Sequence, residues 1–199
     1  ACLQQAIMAH RADQGMVILD LDTPLIPKVV AVVPMKNARA SALQFRYLFA
    51  LDDHGLNVID VTVPEKAKMV PSARIQLNDA RRLYVARTYA YVAAGADGLV
   101  IVDLEKPEQP TIYQRFTDGG KLNDASDVIV GTTNASLFAY VADGRNGLKV
   151  VQLTSPELQP KFYGFSPEPN PQVISSRPTD SPATAISKGL DRDRAVDET

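Results

Sequence analysis

At 199 residues with 45% hydrophobic content and a formal net charge of −2, the chain is long enough for one large or two small domains with a real core. The near-neutral balance leaves no basic footprint for nucleic acid or an anionic membrane, and no apolar run approaches the ~18 residues that span a bilayer. The single cysteine, Cys2, excludes an internal disulfide framework and a thiolate metal cluster and is compatible with any compartment. Residue 1 is alanine, and the first stretch lacks a basic-then-apolar leader. The sequence therefore reads as a processed product or a piece of something longer.

Taken in chain order, the elements repeat. "AIMAHRADQG" (6–15) leads into "GMVILDLDTPLIP" from Gly15 and then "KVVAVVPM" (28–35). "NARASALQFRYLFALDDHG" (37–55) leads into "GLNVIDVTVPEKA" and "AKMVPSARI" (67–75). "NDARRLYVARTYAYVAAGADG" (78–98) leads into "GLVIVDLEKPEQP" (98–110) and "TIYQRF" (111–116). "NDASDVIVGTTNASLFAYVADGRNG" (123–147) leads into "GLKVVQLTSPELQP" and "KFYGF" (161–165). Gly15, Gly55, Gly98 and Gly147 recur at intervals of roughly 40 to 50 residues. Each is followed by a bulky apolar residue and, nine positions on, by Pro24, Pro64, Pro107 or Pro156. Asp20, Asp60 and Asp103 share one repeat position, which Gln152 fills in the fourth copy.

A unit of four short strands in about 40–45 residues is a propeller blade. The middle strands alternate small and large residues, as stacked, tapering blades require. Asp97-Gly98 and Asn146-Gly147 supply the positive-φ positions of tight hairpins, and the prolines stop the third strands. No 3.6-residue apolar spacing supports a helix. The fold class is all-β and β-propeller-type, with about four four-stranded blades centred near 15–35, 55–75, 98–116 and 147–165, the first lacking its opening strand. Four blades lie at the low end of the propeller range. Either "PQVISS" (171–176) supplies the missing first strand of blade one and closes the ring, or the chain is an open arc completed by another part of a longer polypeptide; starting mid-blade favours the arc. Prolines at 167, 169, 171, 178 and 182, among Ser, Thr and charged residues, mark 166–199 as an extended tail beside a 1–165 repeat domain. Such a tail is expected to lie extended on a partner chain or on the rest of a longer protein, with Ile174, Ile186, Leu190 and Val196 as its apolar anchors.

Leu99-Val100-Ile101-Val102-Asp103 is similar to the LVIVD repeat, and the likeness extends over residues 6–165. The resemblance implies a bacterial or archaeal β-propeller protein, periplasmic or extracellular, in a family that shares no catalytic residues. "SKGLDRDRAVDET" (187–199) resembles tails of repeat proteins linked to bacterial multihaem cytochromes. That implies an electron-transfer assembly in which haem is supplied only by a partner. This chain has no haem attachment sequence, because Cys2 is followed by Leu-Gln-Gln.

The catalytic motifs are missing: no G-x-S-x-G, no P-loop and no G-x-G-x-x-G after a strand. Asp20, Asp60 and Asp103 are read as turn caps accepting backbone N–H bonds. His10 and His54, in equivalent loops of adjacent blades, are weak metal candidates, since two imidazoles do not complete a site. Asn134-Ala-Ser136 is a chance-frequency glycosylation sequon, and Arg81-Arg82, Arg192 and Arg194 read as solvated charges. One constellation stands out. Asn37, Asn78, Asp79, Asn123 and Asp124 fall where the innermost strands begin, at one mouth of the central channel. Converging amides and carboxylates there suit a cation or polar ligand; the plainer role is to satisfy the backbone where the chain enters each blade. With no complete acid/base or metal set, the sequence favours a non-catalytic binding or scaffold module over an enzyme or cation-binding domain at the channel mouth. Its partner is a protein or the remainder of a longer polypeptide, with no nucleic acid and no membrane span.

Overall fold

A computed structural model of the chain describes residues 5–9, 15–133, 136–157 and 165–187. Their regular structure is β, with two single-turn 3₁₀ segments at Pro64–Lys66 and Asp118–Gly120. The strands form four antiparallel sheets, strand order following chain order in each. Blade one holds β1 (Gln5–Ala9), β2 (Met16–Asp20) and β3 (Lys28–Val33). Blade two holds β4 (Ala40–Gln44), β5 (Tyr47–Asp52), β6 (Gly55–Asp60) and β7 (Lys68–Gln76). Blade three holds β8 (Arg82–Ala86), β9 (Tyr89–Ala93), β10 (Leu99–Asp103) and β11 (Thr111–Phe116). Blade four holds β12 (Asp127–Thr133), β13 (Ser136–Ala142), β14 (Leu148–Thr154) and β15 (Gln172–Arg177). The innermost strands β4, β8 and β12 are neighbours at the centre. This is the β-propeller arrangement, and among the described residues blade one has no innermost strand.

The repeat register holds to the level of single residues. In every blade the pairing of third and fourth strands slips at one place, at Ile18/Leu19, Asn57/Ile59, Ile101/Val102 and Val150/Val151. A bulge there bends the outer strand and raises its twist. In β7 the bulge also accommodates Pro71, which a regular ladder would reject.

Near-continuous apolar runs, rather than clean alternation, follow from burial on both faces. Tyr89–Ala93 and Leu99–Val102 are buried along their whole length. Val92, Val100 and Val102 pack against Phe49, Leu56 and Val58 of blade two. Tyr91, Leu99 and Ile101 pack the other way, against Val128, Ala139 and Val141 of blade four. Blade one meets blade two through Met16, Ile18, Leu48 and Ile59. The core therefore lies between blades, each fully buried aliphatic side chain contributing roughly 1.5–3 kcal/mol. Among the described residues no core cluster joins blade four to blade one, so they form an arc.

Three expectations are corrected. β14 has β13 on one edge and β15 on the other, with Leu148 opposite Arg177 and Gln152 opposite Gln172. No edge of β14 remains for 161–165, of which 161–164 lie outside the described residues. The same pairing removes 171–176 as the first strand of blade one, and blade four runs on to Arg177. Its place in blade four was hidden by its approach: Pro167, Pro169 and Pro171 give a disordered composition, yet all three are buried, and Val173 joins the core beside blade three. Nor do residues 178–187 leave the blades of this chain for a partner. Gly144 and Ala183 exchange backbone hydrogen bonds of 3.1 and 2.9 Å, and the Ile186 N–H donates to Asp127 Oδ2 at 3.0 Å. Ile186 is half-buried there, whereas Ile174 is exposed. Leu190 and Val196 lie outside the described residues. Among the described residues no helix is long and apolar enough to cross a membrane.

Candidate functional site at the channel mouth

The chain enters blades two, three and four through three buried alanines, Ala38, Ala80 and Ala125. The residues before them are Asn37, Asp79 and Asp124; those after them are Arg39, Arg81 and Ser126. A cavity of about 560 Å³ opens at this mouth, walled by Asn37, Arg39, Asp79, Arg81, Ser126 and Thr184 among others.

The polar groups form a belt that runs from blade to blade. Asn37 Nδ2 donates to Asp53 Oδ1 at 2.7 Å, and Arg39 Nη2 donates to the same oxygen at 2.8 Å. The other end of the Arg39 guanidinium crosses to blade three, reaching the Ala80 carbonyl at 3.1 Å and Asp79 at 3.6 Å. Arg81 binds Asp79 Oδ2 through Nε at 2.9 Å and Nη2 at 2.7 Å. Its Nη1 crosses to blade four, to Asp124 Oδ1 at 2.9 Å and Ser126 Oγ at 3.0 Å. The Asn37 hydrogen bond, helped by Arg39, holds the Asp53 carboxyl below the usual carboxylate range. Asp79, and then Asp124, raise the Arg81 guanidinium further above its ordinary value.

Of the five residues expected at the mouth, the structure brings together Asn37, Asp79 and Asp124. Asn78 is exposed. Asn123 serves its own loop, donating to the Gly120 carbonyl at 2.7 Å and accepting from Asn146 Nδ2 at 2.9 Å. A divalent cation between Asp79 and Asp124 would face the Arg81 guanidinium, a like charge at contact distance. Among the described residues no group of three His, Cys, Asp or Glu side chains is placed to hold a metal. His54 is exposed, its backbone N–H donating to Asp52 Oδ1; His10 lies outside the described residues. Asp20, Asp60 and Asp103 do not converge. Each accepts the N–H two residues on, from Asp22, Thr62 and Glu105, at 2.8–2.9 Å, the turn-capping role expected of them.

Arg39 and Arg81 were not legible as site residues, although the register places both one step after a recurrent alanine. Arg81→Ala removes the one side chain that, among the described residues, bridges Asp79 and Asp124. All three side chains are about a third or more exposed, so screening limits the loss to about 1 kcal/mol at low ionic strength. Urea midpoints should show that loss shrinking in molar salt; a salt-independent loss would contradict an electrostatic belt.

A second feature lies on the outer face of blade four. Tyr140 and Leu148 hold the repeat positions of Tyr91 and Leu99. Tyr91 and Leu99 are wholly buried, whereas Tyr140 is 39% and Leu148 37% exposed. With Ile129, Val150 and Ile186 they line an apolar groove of about 340 Å³.

The family model of the LVIVD repeat matches residues 78–118 and 124–158, the third and fourth blades. No curated protein matches the chain.

Proposed function

The chain is a member of the LVIVD-repeat family, and from that premise we propose that it is a non-catalytic, propeller-type scaffold within a larger extracytoplasmic assembly, joined through the open face of blade four. The observation that carries this reading is the exposure of Tyr140 and Leu148 where the equivalent Tyr91 and Leu99 are sealed. A contiguous apolar blade face left to water is an association surface. The mouth supports the same reading: its carboxylates are engaged by arginines that tie one blade to the next, which makes a rigid frame rather than a free acid/base pair. The usual location of the family supports the extracytoplasmic placement. The likeness of residues 187–199 to tails linked to multihaem cytochromes supports an electron-transfer assembly with haem held by the partner.

The test is dye binding by the isolated chain. Anilinonaphthalene sulfonate fluorescence should rise strongly with the wild-type protein and lose most of that intensity in a Tyr140→Lys/Leu148→Lys double variant of unchanged circular dichroism. Equal fluorescence from both would sink the docking reading. A Soret band co-purifying with the chain from its native source tests the electron-transfer part, and a colourless assembly would remove it.

A further inference from the structure

We infer that Ala183 to Ile186 opens the innermost strand of a fifth blade of the same repeat, in chain continuity with residue 187, and that this blade is the occupant of the open face of blade four. The inference rests on the docking reading above and names its partner.

Four observations on different atoms give the same register. Blade four is entered through Ala125, whose N–H and carbonyl bond the carbonyl and N–H of Gly95 in the turn of blade three, at 3.0 and 2.9 Å. Ala183 makes the same pair of bonds with Gly144, the matching turn residue of blade four, at 2.9 and 3.1 Å. The residue after each entry alanine lines the mouth cavity: Arg39, Arg81 and Ser126 in blades two to four, and Thr184 in the same wall. Three residues after Ala125, Val128 packs on the face of blade three that carries Tyr91, Leu99 and Ile101. Three residues after Ala183, Ile186 lies on the equivalent face of blade four with Tyr140, Leu148 and Val150. The approach to the entry is repeated as well. The outgoing chain of blade three passes close over Gly98 at Phe116 and Leu122, and that of blade four passes over Gly147 at Arg177 and Pro178.

The chemistry of the occupant follows from what already fills this role. Blade four covers blade three with small, β-branched and leucine side chains, among them Ala125, Val128, Val141, Val151, Leu137 and Leu153. The cover for blade four is a sheet face of that kind, its first two buried positions already supplied by Ala183 and Ile186. The belt changes character at the same point. Ser126 stands where Arg39 and Arg81 stand, and Pro182 where Asp79 and Asp124 stand, so at this entry the fifth blade is held by packing, by the Gly144–Ala183 bonds and by the Ile186 N–H bond to Asp127, in place of the arginine–carboxylate pairs.

The test extends the chain by one repeat. Residues 1–187 are followed by a copy of residues 130–180, so that Ala183 to Ser187 take the place of Ala125 to Ile129. The copy carries Tyr140→Lys and Leu148→Lys so that its own outer face is polar. The inference predicts one cooperative unfolding transition with Tm raised by roughly 5–10 °C over the 199-residue chain, and loss of most anilinonaphthalene sulfonate fluorescence. The same extension with Ala183→Glu and Ile186→Glu should unfold in two steps and keep the fluorescence. An extension that leaves fluorescence and Tm unchanged, or that behaves alike with and without those glutamates, overturns the inference while leaving the docking reading standing. A monomeric 199-residue chain whose fluorescence does not depend on Tyr140 and Leu148 overturns the docking reading itself. Sedimentation of the 199-residue chain as a dimer with a dye-silent face assigns the face to a second copy and overturns the fifth blade.

Discussion

Replacing Tyr91 by alanine lowers the free energy of unfolding by about 4 kcal/mol, while the same change at Tyr140 costs about 1 kcal/mol. The two tyrosines are equivalent in the repeat: each sits on the second strand of its blade, opposite Ile101 and Val150 respectively. Their intrinsic strand preference and third-strand partners are alike, and the innermost-strand partners, Tyr84 and Ile129, differ by well under the expected contrast, so the difference reads what lies above them. Tyr91 is covered by blade four and makes no contact with water, whereas Tyr140 is 39% exposed. Burial also raises the Tyr91 hydroxyl well above the usual tyrosine range. Removing Tyr91 opens a void between two rigid sheets that cannot close in on it. Paired urea titrations of the two variants read the contrast. Equal losses would mean that the outer face of blade four is covered too.

Gly98→Val destabilises by about 3 kcal/mol, from strain and overlap together. Gly98 has φ 69°, a region that β-branched residues avoid. A Cβ there would overlap the Phe116 carbonyl oxygen and come within 2.9 Å of Leu122 Cδ2. Gly119 is the control. Its φ of 63° is similar, but nothing lies within 4 Å of an added Cβ, so Gly119→Val retains only the strain, about 1 kcal/mol. Thermal or chemical melts of the two variants separate the terms, and a loss at Gly98 no larger than at Gly119 would contradict the close chain crossing.

The register of glycine, third strand and proline made most of the fold legible, because each of those residues is forced by local geometry. β11 begins and ends where "TIYQRF" does, and β10 is the run that follows Gly98. β15 was legible as a strand, "PQVISS", but not in its place: three prolines precede it, and their burial, which carries it to the edge of β14, is a tertiary fact. The mouth was half legible. Asn37, Asp79 and Asp124 stand next to recurrent alanines, so the repeat pointed to them. Their arginine partners were read as solvated because the ion pairs cross from one blade to the next: Arg81 meets Asp124 of blade four. Of the Arg81-Arg82 pair, only Arg82 is the exposed side chain the sequence suggested, and even it donates to the Arg39 carbonyl at 2.7 Å. The arc expected from the sequence implied an open end face, but not which residues line it, since Tyr140 and Leu148 look like Tyr91 and Leu99; only the missing neighbour distinguishes them.

Hydroxyl-radical labelling of the dilute 199-residue chain, read residue by residue by mass spectrometry, tests the central claim most directly. An arc with an uncovered last blade predicts ready labelling at Tyr140 and Leu148 and protection at Tyr91 and Leu99. Protection of Tyr140 equal to that of Tyr91 would contradict it.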